Sequence, residues 1–317
     1  MHQRKLQGSS RGCAERVHDH DGYRNRTFLI RDKPHVLYSR RRITFILPDK
    51  THNRSRVIEN VRSLANEVAP RAHVPYSGRD EAAVLLLSDG SWIPGVRVES
   101  ASFSLLIPAI VNAVTTAVAC GRLDIVAVVQ SRIFLPTEIL YLQDGPHERL
   151  YQVDADAYAR KDRELPIPQS AFDPFLDIAK MRTRNAENAI LAARAVAMNA
   201  YVPESHFPVG CIVETEEGAW VPAVNVENID WNRVLCAERN ALGTTVSYAL
   251  GPIRSVYLTC LRDPKGTSCG ACRQLLSELA PRSTLWMDRG EDSPESSDPL
   301  TLLPGSFTGS SIQKRSR

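Results

Sequence analysis

The chain has 317 residues, of which 43% are hydrophobic and 24% charged, and its net charge is +3. That length suggests two domains, and the composition suits two modest folded cores rather than a fibrous or wholly disordered chain. No apolar run approaches the roughly 18 residues of a membrane span. The seven cysteines are odd in number and irregularly spaced, and no secretory leader is evident, which argues against a disulfide framework.

In chain order, residues 1–56 come first, with 14 Lys or Arg against 5 Asp or Glu. A transit peptide, a nucleic-acid-binding arm and a solvated extension all fit this excess of base. Glu15, Asp19, Asp21 and Asp32 count against a transit peptide, which should be poor in acids. Beyond Tyr23, Phe28 and Tyr38 the arm shows no aromatic-rich pattern for stacking on bases. A basic, disordered extension is the favoured reading, with cytoplasm as the default compartment and an organelle left open.

Beyond residue 56 the chain repeats itself. Shifted onto the second half without a gap, Trp92-Ile93-Pro94-Gly95-Val96-Arg97-Val98-Glu99 falls on Trp220-Val221-Pro222-Ala223-Val224-Asn225-Val226-Glu227. Glu59-Asn60 falls on Glu187-Asn188, and Asn112-Ala113 on Asn240-Ala241. Residues 57–118 share about 19 identities with the second copy, where chance would give about four; a repeat of this period means a duplicated domain. Leu105 to Cys120 is the most apolar stretch and reads as a buried helix.

The clearer second copy sets the element order. Alanine-rich periodicity predicts a helix over 188–200. A strand over 207–213 follows, then a hairpin turn at Glu216-Glu217-Gly218 and a returning strand over 220–226. A helix starts near Cys236, a strand covers 255–260, and a last helix starts near Cys269. Helix, hairpin, then alternating helices and strands imply an α/β fold, a mixed sheet with helices on its faces, duplicated in tandem. The expected domains are 57–145 and 171–310, with a polar linker over 146–170, an exposed loop over 288–299 and a frayed tail over 311–317. Cys13, Cys120, Cys211 and Cys260 have no partner motif and are read as free thiols, the last three buried.

Two short segments carry the chemistry: Cys236-Ala237-Glu238 and Cys269-Gly270-Ala271-Cys272. Three thiolates form a plausible Zn²⁺ set that leaves the fourth tetrahedral position open, as catalytic zinc requires. Each cysteine group falls at an expected helix start, where the dipole and free N–H groups favour thiolate. Glu238, two residues from a ligand, can reach water on the metal without ligating. Zinc brings the pKa of such water to about 7 and a carboxylate can then move the proton. A CxxC alone would fit structural zinc or a redox pair; the combination with Cys-Ala-Glu favours catalysis, and zinc deaminases use this donor set with a non-ligand Glu. Asn225 and Glu227 share one strand face, which points to a common ligand.

These segments resemble the cytidine deaminase family. Its pattern reads Asn-Val-Glu-Asn, Cys-Ala-Glu-Arg, then Pro-Cys-Gly-x-Cys-Arg-Gln; here stand Asn225-Val226-Glu227-Asn228, Cys236-Ala237-Glu238-Arg239 and Ser268-Cys269-Gly270-Ala271-Cys272-Arg273-Gln274. Phe207-Pro208-Val209-Gly210 is similar to the strand opening that family's pocket, and Leu303-Pro304-Gly305-Ser306-Phe307 to its C-terminal segment. The resemblance covers residues 170–310 well and 57–130 faintly. It implies an α-β-α sandwich with one zinc per chain on Cys236, Cys269 and Cys272, and with Glu238 as proton shuttle. It also implies Asn225 and Glu227 on the ribose, Phe207 on the base and the Ala237 backbone beside the exocyclic amine. Arg239 would balance the thiolate charge. Plain core for Phe207 and a surface cation for Arg239 remain the alternatives. Trp231 and Phe307 would lie at a subunit boundary or lid.

Three departures stand out. Ser268 replaces the family's Pro. Ile229-Asp230-Trp231 replaces Ala-Ser-Tyr, a stretch that lines a neighbouring subunit's pocket in the family. In the first copy Pro108, Ile110 and Arg97 stand where Cys236, Glu238 and Asn225 stand in the second, so that copy is degenerate. The pairing resembles the family's long, dimeric members, although there the working domain comes first. The implied activity is hydrolysis of cytidine or deoxycytidine to uridine or deoxyuridine plus ammonia, in pyrimidine salvage, by a homodimer that binds neither membrane nor nucleic acid. A nucleic-acid deaminase using the basic arm, and a zinc-stabilised assembly protein, are the alternatives.

Overall fold

The computed structural model describes residues 50–177, 185–309 and 312. The basic arm before residue 50, Cys13 and most of the 311–317 tail therefore lie outside the described residues. The described residues belong to one compact unit.

The first copy runs α1 (Lys50–Val68), β1 (Ala82–Leu87), β2 (Trp92–Val96), α2 (Ala109–Ala119), β3 (Ile125–Gln130), α3 (Pro136–Asp144), β4 (Tyr151–Asp154) and β5 (Ala157–Ala159). The second runs α4 (Ala186–Ala197), β6 (Val209–Thr215), β7 (Trp220–Val224), α5 (Ala237–Ser247), β8 (Ile253–Cys260), α6 (Gly270–Leu279), β9 (Thr284–Arg289), β10 (Asp292–Ser297) and α7 (Pro299–Leu302). The order in the first sheet is β2-β1-β3-β5-β4 and in the second β10-β9-β8-β6-β7. Strand β1 is buried along its whole length and β6 nearly so, which is why both read as continuous apolar runs rather than alternating ones.

The repeat holds at the level of the backbone. Ala82 pairs with Val96 as Gly210 pairs with Val224, and Ala83 with Gln130 as Cys211 with Leu258. Only two non-glycine residues among those described have positive φ, His206 and Ala249, and at the matching places in the first copy stand Gly78 and Gly121, also at positive φ. Both copies keep the same left-handed turns, and glycine adopts that conformation without the Cβ clash.

The copies meet through α2 and α5. Thr116 Oγ1 and Thr244 Oγ1, equivalent residues 128 apart, lie 2.7 Å from each other. Asn112 Nδ2 donates to Val96 O of its own copy and Gly243 O of the other, while Asn240 Nδ2 donates to Val224 O and Thr115 O. Each bond has its mate, so a pseudo-twofold axis passes between the threonines. All of α2 and nearly all of α5 is buried. Gly243, Thr244 and Thr245 are indifferent helix formers, so α5 owes its stability to this burial rather than to propensity. One continuous apolar core spans both copies.

Several sequence expectations need correction. Residues 146–170 are not a linker: β4 and β5 complete the first sheet there. Strand β4 is exposed and polar, and β5 has three residues, so neither shows a readable alternation. The connection between copies lies further on, where Phe172 N donates to Trp92 O and Leu176 N to Trp220 O, so that the chain straps the edges of β2 and β7. Residues 288–299 are not a loop: they hold the end of β9 and all of β10, whose exposed polar edge position, with Pro294, hides it in sequence. The second sheet is mixed, with β8 and β9 parallel, but the first is antiparallel throughout, because β5 rather than β4 returns beside β3. Helix α1 begins at Lys50, inside the stretch assigned to the extension. Cys211 is buried, but Cys120 and Cys260 are only partly so.

Candidate active site

Two helix starts converge behind the β6–β7 hairpin. Cys236 is the extended N-cap residue of α5 and Cys269 that of α6; Cys272 follows in the first turn of α6. The Cys236 and Cys269 sulfurs are 3.7 Å apart, those of Cys269 and Cys272 3.5 Å, and all three lie within 4.8 Å of one another. Tetrahedral Zn–S bonds of about 2.3 Å would place sulfurs about 3.8 Å apart, so the donors fit that ion. Among the described residues this is the one group of three such donors. The Cys236 and Cys272 thiols, then the backbone N–H groups of Cys272 and Ala271, pull the Cys269 thiol far below its usual range. A thiolate is therefore stabilised before any metal binds.

Glu238 lies in the first turn of α5 and is buried; that burial pushes its carboxyl above the usual range. Ser268, also buried, donates its hydroxyl to Glu238 Oε1 at 2.8 Å. The Arg-Gln that follows Cys272 holds the surroundings together. Arg273 donates to Ser268 O and Leu302 O, and Gln274 to Phe307 O. This fastens the C-terminal segment on α6.

A cleft of about 180 Å³ opens onto the thiols and is lined by Phe207, Asn225, Cys236, Ala237, Glu238 and Cys269, among others. Asn225 accepts from Val209 N and donates to Phe207 O, so it shapes the strand that carries Phe207. Glu227 lies beside the cleft rather than in its lining, its Oε2 accepting from Glu204 N and Ser205 N. Trp231 and Phe307 are outside the lining and largely exposed. Arg239 reaches across the pseudo-axis to Leu105 O at 3.0 Å, while its buried Nε has no hydrogen-bond partner. Sequence reasoning missed Val234, Leu258, Cys260 and Thr267 in the lining and the Ser268 hydroxyl; the Pro-to-Ser departure was the available signal for the last.

Two family models, both for the cytidine and deoxycytidylate deaminase zinc-binding region, match the chain, one at residues 183–287 and the other at 23–135. A cytidine deaminase of Sporosarcina psychrophila is 30% identical over 125 residues, covering 39% of this chain and 92% of that protein. The chain belongs to the cytidine deaminase family. Another member, from Halalkalibacterium halodurans, is 35% identical over 112 residues, covering 34% of this chain and 83% of that protein. A solved cytidine deaminase from Burkholderia pseudomallei has 29% identity and a TM-score of 0.38, with 39% of this chain and all of that one covered. The two family matches and the two five-stranded sheets make the fold the cytidine-deaminase α/β sandwich in tandem, with a Cys₃ cluster that fits zinc in the C-terminal copy alone among the described residues.

In the first copy an ion network occupies the matching place. The positions of Val209, Asn225, Leu258 and Cys260 are taken by Glu81, Arg97, Gln130 and Arg132. Arg132 bonds Glu138 at 2.7 Å and pairs with Glu81 at 2.9 Å; Arg97 pairs with Glu99 at 3.1 Å. Glu99 still accepts from Tyr76 N and Ser77 N, as Glu227 does from Glu204 and Ser205, so its surviving role is to hold that loop. Burial would raise the Glu138 carboxyl, but bonds from Arg132 and Leu135 N bring it below its usual range. Arg132→Ala should cost about 2 kcal/mol at neutral pH, because it removes the cationic partner of a buried carboxylate that keeps only its bonds from Leu135 N and Gln130. Glu138 is lowered in the folded wild type, so the stability it contributes is present above the ordinary carboxylate pKa of about 4.3 and lost as pH falls below it. The difference between variant and wild type should shrink accordingly, which urea titrations at pH 7 and pH 4 would check.

Proposed function

We propose that the chain hydrolyses cytidine or deoxycytidine to the uridine nucleoside and ammonia at the C-terminal copy, serving pyrimidine salvage. The observation that carries this reading is the buried Glu238 carboxylate on the wall of a cleft that is also lined by Cys236 and Cys269, two of three cysteines whose sulfurs converge. A purely structural zinc site has no use for an acid–base group aimed into a cavity. Cys236, Cys269 and Cys272 would hold the ion. When bound, zinc supplies Lewis acidity that makes water a nucleophile near neutral pH.

Glu238 would take a proton from the attacking water, deliver it to ring N3, and later pass a proton to the departing amine. Its raised affinity for protons in this buried setting suits a group that must both accept and release them. Phe207 would pack on the base, and the backbone at Ala237 would meet the exocyclic amine side. Asn225, in the lining, would bond the ribose; Glu227 would join it through Oε1, since Oε2 is engaged with Glu204 and Ser205. Arg239 would offset thiolate charge through its unpartnered Nε. A homodimer is supported by Ile229 and Trp231, 78% and 68% exposed beside one another, and by the open cleft. No helix among the described residues is long and apolar enough to cross a membrane.

The test is the ultraviolet absorbance change of cytidine with purified protein, alongside a zinc determination. Turnover with about one zinc per chain, lost on chelation and restored by zinc, is the expected result. Full zinc with no turnover of cytidine or deoxycytidine would remove the salvage reading and leave other cytosine substrates, including nucleic acid held by the basic arm.

A further inference from the structure

We propose that Ser268 is a positioning residue for Glu238: its hydroxyl fixes one carboxylate oxygen so that the other faces the reacting water. The inference rests on the deaminase reading above and adds a residue that the family pattern does not supply, since proline stands there in the pattern. Ser268 Oγ lies 2.8 Å from Glu238 Oε1, and both residues are buried, at 1% and 3% exposure. A hydroxyl in such a place bonds strongly to a carboxylate and meets little competition from water.

The Ser268 hydroxyl is a side-chain donor to the Glu238 carboxylate that is neither a thiol nor part of the cleft lining. Its own placement is fixed from outside: Arg273 Nε donates to Ser268 O at 2.8 Å, and Arg273 also donates to Leu302 O. The backbone that carries the hydroxyl is therefore held by an arginine that is not itself in the cleft lining, the support a precise acid–base group requires. The turn before Cys269 keeps its ligand geometry by this staple instead of by a proline ring.

Ser268→Ala removes the hydroxyl with little change of volume. We expect kcat on cytidine to fall about tenfold to a hundredfold, as misplacing a reacting group does, with KM within about threefold of wild type and zinc content unchanged. Ser268→Thr, which keeps the hydroxyl, should recover most of the loss. A crystal structure of the zinc-loaded Ala variant should show the Glu238 carboxylate rotated or split between two positions. The proposal is overturned if the Ala variant keeps kcat within about twofold, if its activity falls only in step with lost zinc, or if KM rises at constant kcat. Should the wild type not turn over cytidine, the deaminase reading fails on its own account. The crystal structure then decides the positioning role: an unmoved Glu238 carboxylate in the Ala variant refutes it.

Discussion

Glu238→Gln is expected to lower deamination by at least about a thousandfold while zinc stays bound. The amide matches the carboxylate in shape and can still accept from the Ser268 hydroxyl, so the cleft and the three sulfurs should be undisturbed. What it cannot do is receive a proton and return it, and both steps of the proposed reaction need that. Single-turnover assays beside zinc analysis would check the point. A Gln variant with a tenth or more of wild-type kcat would show that proton transfer runs through another group.

The same variant makes a stability prediction of definite sign. In the metal-free chain burial raises the Glu238 carboxyl. Its folded form therefore holds a proton more tightly than its unfolded form, and folding loses stability as pH rises through and above the ordinary carboxylate range. The neutral amide removes that dependence. Metal-free Glu238→Gln should thus match or exceed wild type in urea midpoint at pH 7, and the advantage should vanish near pH 4. The expected pattern, a variant at least as stable as wild type without metal and inactive with zinc bound, separates a role in chemistry from a role in folding.

How much of this was legible in sequence depends on how local the information is. The zinc donors and Glu238 occupy two short segments whose spacing implies helix starts, and both helices begin there. The repeat was readable because β1 and β2 pair in the same register as β6 and β7, so buried positions recur at one offset. The role of Ser268 was not readable: the departure from proline was visible, but not that the hydroxyl points at Glu238 across a 30-residue separation. The ion network of the first copy was hidden for a related reason. Glu81, Arg97, Arg132 and Glu138 are each ordinary polar residues until three strand ends and a helix bring them together. Strands β4 and β10 escaped because exposed edge strands need no apolar alternation. Sequence pattern records burial well, and it records polar partnership poorly.

The second large effect concerns a residue far from the cleft. Asn112→Ala should cost about 4 kcal/mol, at the upper end for one polar side chain, because it removes three buried hydrogen bonds and opens a cavity. Asn112 is fully buried beside the pseudo-twofold axis, and its amide donates to Val96 O, Gly243 O and Ser247 Oγ at 2.9–3.1 Å. The space around it is tight: a Cβ on Gly243 would come within 2.6 Å of its Oδ1. Ser247 ends α5, the helix whose first turn carries Glu238 and whose N-cap is Cys236. Loosening Asn112 should therefore weaken zinc retention, although no atom of it lines the cleft. Equilibrium unfolding and zinc-competition titrations on Asn112→Ala and Asn240→Ala would measure this. Their double variant should cost less than the sum, since the two amides stabilise one interface. If Asn112→Ala unfolded within about 1 kcal/mol of wild type and held zinc equally well, the degenerate copy would be a passenger. The mated hydrogen bonds argue that it is the half-scaffold against which the working helix is built.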